Sequence, residues 1–337
     1  TEEAVTIYRG LVDVEPDRYC ADLAHSLSNL KACLEKVGRY REALEATEEA
    51  VTIRRGLVDV EPDRYYADLA NSLSSLGALL WEGQQYREAL EATEESVTIR
   101  RGLAEIVPDR YRADLANSLS NLGWCLRALG RYQEALEAAE ESVTIYRGLA
   151  AIVPDRYRPD LADSLKGLGL NLWALGRYRE ALEAAEESVT IYRGLAAIVP
   201  DRYRPDLAAS LNGLGIILHA VGRYREALEA TEESVTIYRG LADLVPDQYR
   251  PDLAGGLKNL GIYRREVNDI EGALIAEREA VVVYRACTEK DPQLYEARYR
   301  SELAHLCQQL DLLGRHDEAV TLSLNAPDPP TGRTNDA

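Results

Sequence analysis

The sequence predicts an all-α fold, a solenoid of antiparallel helix pairs, on three observations. One 46-residue period runs through nearly the whole chain, each period carries two apolar stripes at helical spacing, and a glycine or proline punctuates the stripe boundaries. The segment TEEAVTIYRG at 1–10 returns as TEEAVTIRRG at 47–56, TEESVTIRRG at 93–102 and AEESVTIYRG at 139–148 and 185–194. It returns again as TEESVTIYRG at 231–240 and, degraded, as EREAVVVYRA at 277–286, with no insertion or deletion between copies. For 337 residues length alone suggests about two domains, but an internal repeat overrides that prior.

Within the period 159–204, Pro159 and Asp160 open a stripe of Leu161, Leu165, Leu168 and Leu172, which predicts a helix A starting at Pro159. Gly176-Arg177 predicts a tight turn. A second stripe, through Tyr178, Ala181, Leu182, Ala185, Ser188, Val189 and Tyr192 and on to Leu195 and Ile198, predicts a longer helix B that stops at Val199-Pro200. Between the pairs, the recurring Pro-Asp-Arg-Tyr (Pro154 to Tyr157) reads as a connector, its aspartate capping the next helix and its tyrosine covering the seam. A coiled coil is excluded because 46 is not a multiple of seven.

Composition narrows the class of partner. The chain is 46% hydrophobic and 28% charged, without the run of about 18 to 20 apolar residues that a membrane span needs. A formal charge of −18 opposes nucleic-acid phosphate. The five cysteines, Cys20, Cys33, Cys125, Cys287 and Cys307, are scattered and form no CxxC, which points to a reducing, cytoplasmic setting rather than to disulfides or zinc. The four histidines, His25, His219, His305 and His316, occupy unrelated repeat positions, and no G-x-S-x-G is present. No metal, cofactor or enzymatic activity is expected.

The string L-x-x-L-G-x-x-L-x-x-x-G-R-Y-x-E-A-L, seen as Leu119, Leu122, Gly123, Leu126, Gly130, Arg131, Tyr132, Glu134, Ala135 and Leu136, with small residues following at Ala139 and Ser142, resembles the tetratricopeptide repeat (TPR). The usual unit of that family is shorter, and the longer period resembles the long-helix variants of kinesin-light-chain-like arrays. The resemblance implies a right-handed superhelix that binds other proteins, with helix A lining its concave groove. It also implies that Gly123 and Ala135 let the helices approach while Leu122, Leu126 and Tyr132 fill the space around them.

By that resemblance the groove takes Ser120, Asn121, Trp124 and Arg127 of the third unit and their equivalents. One row runs Ser28, Ser74, Ser120, Lys166, Asn212, Lys258, and another Glu35, Trp81, Arg127, Trp173, His219, Arg265. All three tryptophans, Trp81, Trp124 and Trp173, fall on groove rows in consecutive repeats. Two readings stand: aromatic anchors for a partner peptide, or indoles packed between neighbouring helices A.

Two periodic features invite chemistry. The glutamate pairs, from Glu48-Glu49 to Glu232-Glu233, have the composition of a glycosidase carboxylate pair, but they recur at one register, whereas an active site is a single constellation. They read as a solvated acidic ridge on the outer face of helix B. The arginine row Arg18, Arg64, Arg110, Arg156 and Arg202 reads as structural for the same reason. No repeat stands out by a coherent polar cluster.

The domain reading is helix B of an incomplete repeat at 1–20, seven helix pairs over 21–326, and a disordered polar tail at 327–337. Thr1 falls within a helix B, so its apolar face lacks a covering helix A, a route to end-to-end self-association. The function expected is a protein-interaction scaffold holding a peptide or helix of a partner. The alternative is the sensor arm of a larger signalling protein with a nucleotide-switch or caspase-like domain outside this chain.

Overall fold

A computed structural model describes residues 1–324. Among them are fifteen α-helices and no strand: α1 Glu2–Val12, α2 Pro16–Lys36, α3 Tyr40–Val60, α4 Pro62–Glu82, α5 Tyr86–Ile106, α6 Pro108–Ala128, α7 Tyr132–Ile152 and α8 Pro154–Ala174 come first. Then follow α9 Tyr178–Ile198, α10 Pro200–Ala220, α11 Tyr224–Leu244, α12 Pro246–Glu266, α13 Ile270–Lys290, α14 Pro292–Leu312 and α15 His316–Leu324. The chain divides into two compact units, Thr1–Ser188 and Val189–Ala337. The tail expected at 327–337 lies outside the described residues.

Helix A begins at Pro154, not at Pro159, which sits inside α8. Two prolines compete for the first helical position, and the earlier one takes it: Val153 before it lies outside the helical region, at φ −130° and ψ 77°, whereas Arg158 before Pro159 is already within α8. The supposed connector is therefore the first turn of helix A. Both helices of a pair are 21 residues long, as in α6 and α7, so helix B is not the longer one. Likewise α1 ends at Val12 and the next helix starts at Pro16, ahead of the boundary expected at residue 20. The expected aspartate cap is absent from these joints: Val107 and Val153 are the N-caps, with no side-chain cap bond, and Asp109 and Asp155 lie in the first turn.

From α3 onward a single residue joins each helix B to the next helix A, whereas three residues separate α1 from α2; Val107 is at once the C-cap of α5 and the N-cap of α6. Between helix A and helix B the turn is three residues, with Gly130 at φ 74°. There Arg131 N–H donates to the Leu126 carbonyl at 2.9 Å and Gly130 N–H to that of Arg127 at 3.0 Å, closing the end of α6.

In the first unit the core clusters bridge three or four successive helices: Val97 and Ala104 of α5 pack with Leu115 and Leu119 of α6 and Ala138 of α7. The approach expected at Gly123 is present, since a Cβ there would lie 3.4 Å from the Ala135 carbonyl oxygen. Ala135 is completely buried. Tyr132, however, stands at the first helical position and is 39% exposed, so it does not fill the core. In the second unit Val235, Tyr238 and Ala242 of α11 meet Leu253, Leu257 and Leu260 of α12 and Ala276 and Ala280 of α13. Ile198 is 79% exposed, because six helical steps from Tyr192 carry it about 120° off the buried face.

The glutamate pairs are more than a solvated ridge. In the first unit Arg55 bonds Glu95 at 2.5 Å, Arg101 bonds Glu141 at 2.6 Å and Arg147 bonds Glu187 at 2.6 Å, each tying one helix B to the next. The second unit repeats the rung with Arg193–Glu233 and Arg239–Glu279, both at 2.6 Å. The partner lies 40 residues away, which explains why the pairing is invisible in a local reading.

Candidate functional site

Helices α4, α6 and α8 of the first unit follow one another as helices A, and their exposed sides meet around a cavity of about 360 Å³. It gathers five of the expected groove residues: Trp81, Asn121, Trp124, Arg127 and Lys166. Glu82, Thr93, Cys125 and Asp163 complete its polar lining. The small residues Gly77 and Ala78 of α4 make the room, and a Cβ on Gly77 would come within 2.6 Å of Thr93 Oγ1.

Trp124 is half-buried, its ring resting near Gly167, where a Cβ would lie 3.6 Å from Cζ2. On its faces stand two cations, the Arg127 guanidinium 4.7 Å and the Lys166 ammonium 5.9 Å from the ring centre. Lys166 is paired with Asp163 at 2.6 Å. Arg127 has no carboxylate partner among the described residues, and its buried Nε makes no hydrogen bond. Burial pushes its pKa below the ordinary arginine value. Trp81, 40% exposed, meets Tyr86 edge-on at 6.3 Å. The cavity thus offers two indole faces beside an uncompensated positive charge.

The other expected residues are placed elsewhere. Ser120 turns inward, its hydroxyl 2.8 Å from that of Ser142 and 2.9 Å from that of Ser164. Trp173, 37% exposed, does not line the cavity. In the second unit Asn212 accepts a bond from Asn259 at 3.0 Å, and His219 stacks on Tyr263 with ring centres 4.8 Å apart. Lys258 pairs with Glu302 at 3.5 Å, and Arg265 pairs with Glu277.

That last group corrects the expectation that no repeat departs by a polar cluster. Glu277 and Glu302, 1% and 2% exposed, stand with Lys258, Arg265 and His305, whose Nδ1 is 3.9 Å from Glu277 Oε1. One oxygen of each carboxylate has no hydrogen-bond partner. Burial raises the Glu277 pKa against the opposing pull of Arg265 and His305. The signal was in the sequence: Glu277 interrupts the small-residue row Thr47, Thr93, Ala139, Ala185, Thr231.

The tetratricopeptide repeat family is matched over residues 103–148 by one model and over 69–105, 161–195 and 207–242 by another, and the model of anaphase-promoting complex subunit 5 matches 18–62. No curated protein matches the sequence significantly. Among solved structures, RapI in its apo form is 15% identical with a TM-score of 0.59, covering 90% of this chain and 99% of its own. BtubC (BKLC) from P. vanneervenii is 18% identical at 0.56, over 73% and 91%. The nearly identical TPR-like repeats of a Podosopora anserina protein assigned as a kinesin light chain are 24% identical at 0.50, over 65% and 96%.

Stacked helical hairpins with small residues at their crossing points define a repeat scaffold of the protein-interaction class. This chain is a tetratricopeptide repeat protein, its fold shared with kinesin-light-chain TPR-like repeats.

Proposed function

We propose that the chain is a scaffold that holds a segment of a partner protein against the helix A surface of its first unit, at the cavity between Trp81 and Trp124. The observation that carries this reading is the Arg127 guanidinium, stacked on Trp124 without a carboxylate of its own. Asp163 is taken by Lys166 and Glu82 is exposed to solvent, so a desolvated cation here is costly unless an anion from outside completes it. The occupant is a peptide segment with a large apolar side chain for the indole faces and a carboxylate next to it for Arg127. Lys166 and Asn121 stand on the same rim to bond its backbone.

Selection of a displayed random-peptide library on the intact chain tests this. Selected peptides are expected to pair an apolar residue with Asp or Glu, and to lose at least about tenfold in affinity for Trp124→Ala and Arg127→Leu. Peptides indifferent to both substitutions would remove the cavity from the function.

A further inference from the structure

Helix B carries a tyrosine at one repeat position, as Tyr8 and Tyr146 in the first unit, and that row breaks at Arg54 and Arg100. Both arginines are buried, 9% and 6% exposed. Among the described residues neither makes a salt bridge, although Asp68 lies near Arg54 and Asp114 near Arg100; their direct hydrogen-bond partners are neutral groups. Arg100 is well satisfied, donating to the Asp114 carbonyl at 2.9 Å, to Ser118 Oγ at 2.5 Å and to Asn71 Oδ1 at 2.9 Å. Arg54 donates from Nη1 to Ser28 Oγ at 3.0 Å and to Ser72 Oγ, while its bond to the Ala24 carbonyl is long, at 3.4 Å.

What distinguishes Arg54 is the space beside it. A cavity of about 310 Å³ opens there, lined by Arg54 itself and by His25, Ser28, Lys31, Asn71, Ser72 and Ser75. Its walls are hydroxyls, an amide and bases, unlike the indole cavity. Ser28 spends its proton on the Ala24 carbonyl at 3.1 Å, but among the described residues Ser72 and Ser75 donate to no acceptor. Asn71 gives its oxygen to Arg100, which leaves its amide N–H groups as donors. Lys31 adds a second positive charge, held 2.9 Å from Glu35. The opposing charge in the lining is Asp68, which is exposed.

We propose that this cavity is a binding site for a tetrahedral oxyanion, a phosphate that is either free or carried as a phosphomonoester. A guanidinium backed by several separate hydroxyl and amide donors matches a dianion with three acceptor oxygens better than a planar carboxylate with two. The site is independent of the indole cavity.

Thermal melting and calorimetric titration of the full chain test it, with sodium phosphate against sodium chloride and sodium acetate at equal ionic strength. Phosphate is expected to raise the midpoint by several degrees where chloride and acetate do not. Arg54→Tyr, which installs the residue of Tyr146, is expected to fold and to lose the shift, and Trp124→Ala to keep it. If Arg54→Tyr melts early, Ser75→Asp takes its place, putting a negative charge on the cavity wall and abolishing the shift. A short phosphoserine peptide, compared with its unphosphorylated form and with phosphate, separates the sources. Tighter binding of the phosphopeptide by about tenfold assigns a phosphorylated partner, and equal affinity assigns the free anion. Equal shifts in phosphate, chloride and acetate, or an undiminished phosphate shift in both variants, would overturn the site.

Discussion

The Arg127 guanidinium lies 4.7 Å from the centre of the Trp124 indole, with its Nε buried and unbonded. The two side chains cover each other, yet only one of them contributes to stability. Truncating Trp124 opens a void beside Gly167 and is expected to cost about 2–3 kcal/mol. Arg127→Leu removes a desolvated charge while keeping the apolar stem, and is expected to be neutral or stabilising by about 1 kcal/mol. Trp173→Ala, at a more exposed indole, is expected to cost less than about 1 kcal/mol. Urea unfolding midpoints of the three variants check the order, which also separates packing from binding.

Gln84 occupies at φ 59° the turn position that Gly130 occupies at 74°. A side chain in that region costs about 1–2 kcal/mol, so Gln84→Gly is expected to stabilise the first unit by about 1 kcal/mol. A raised melting midpoint is the readout.

Ala135 is buried, and Asn171 Nδ2 donates to its carbonyl oxygen at 3.0 Å just where Gly123 approaches. An arginine there has neither space nor water. Ala135→Arg is expected to cost several kcal/mol, and an unchanged melting midpoint would contradict the register of these helices.

The rung between Arg101 and Glu141 spans two helices B, but both side chains are about half exposed. Breaking one such rung by Glu141→Gln is expected to change stability by less than about 1 kcal/mol, and by still less in high salt. A midpoint series in sodium chloride reads the difference.

Glu277 is pressed among Arg265, His305 and Glu302, and burial raises its pKa above the ordinary carboxylate value. The folded state therefore binds this proton more tightly than the unfolded state. Stability from the group is fullest below the ordinary carboxylate range and is lost as pH rises through the raised value. Glu277→Gln should gain on the parent chain as pH rises from about 4 to about 7. Parallel unfolding curves for the two proteins across that window would refute the assignment.

The sequence made the period, the helix pairing and the Gly123–Ala135 approach legible because each leaves a repeated mark at fixed spacing. It misplaced the start of helix A, since Pro154 and Pro159 both look like first-turn residues and only the conformation of the preceding residue decides between them. The indole cavity was half legible. The rows located Trp81, Trp124 and Arg127, but which copies share a hollow depends on side chains such as Gly77 and Gly167. The ion-pair rungs were hidden by a separation of 40 residues. Arg54, Arg100, Glu277 and Glu302 were readable only as interruptions of their columns, and a reading that favours regularity passes over interruptions.

The single-residue joint, such as Val107 between α5 and α6, sets how this chain can change in length. Adding or removing one residue there would turn the following helix by about 100° and misdirect its buried face, whereas adding or removing a whole period restores every face. Growth by complete cassettes is then the permitted edit, which accounts for seven copies of the TEEAVTIYRG segment without an indel. An engineered chain with one more copy of residues 108–153 should fold as readily as this one.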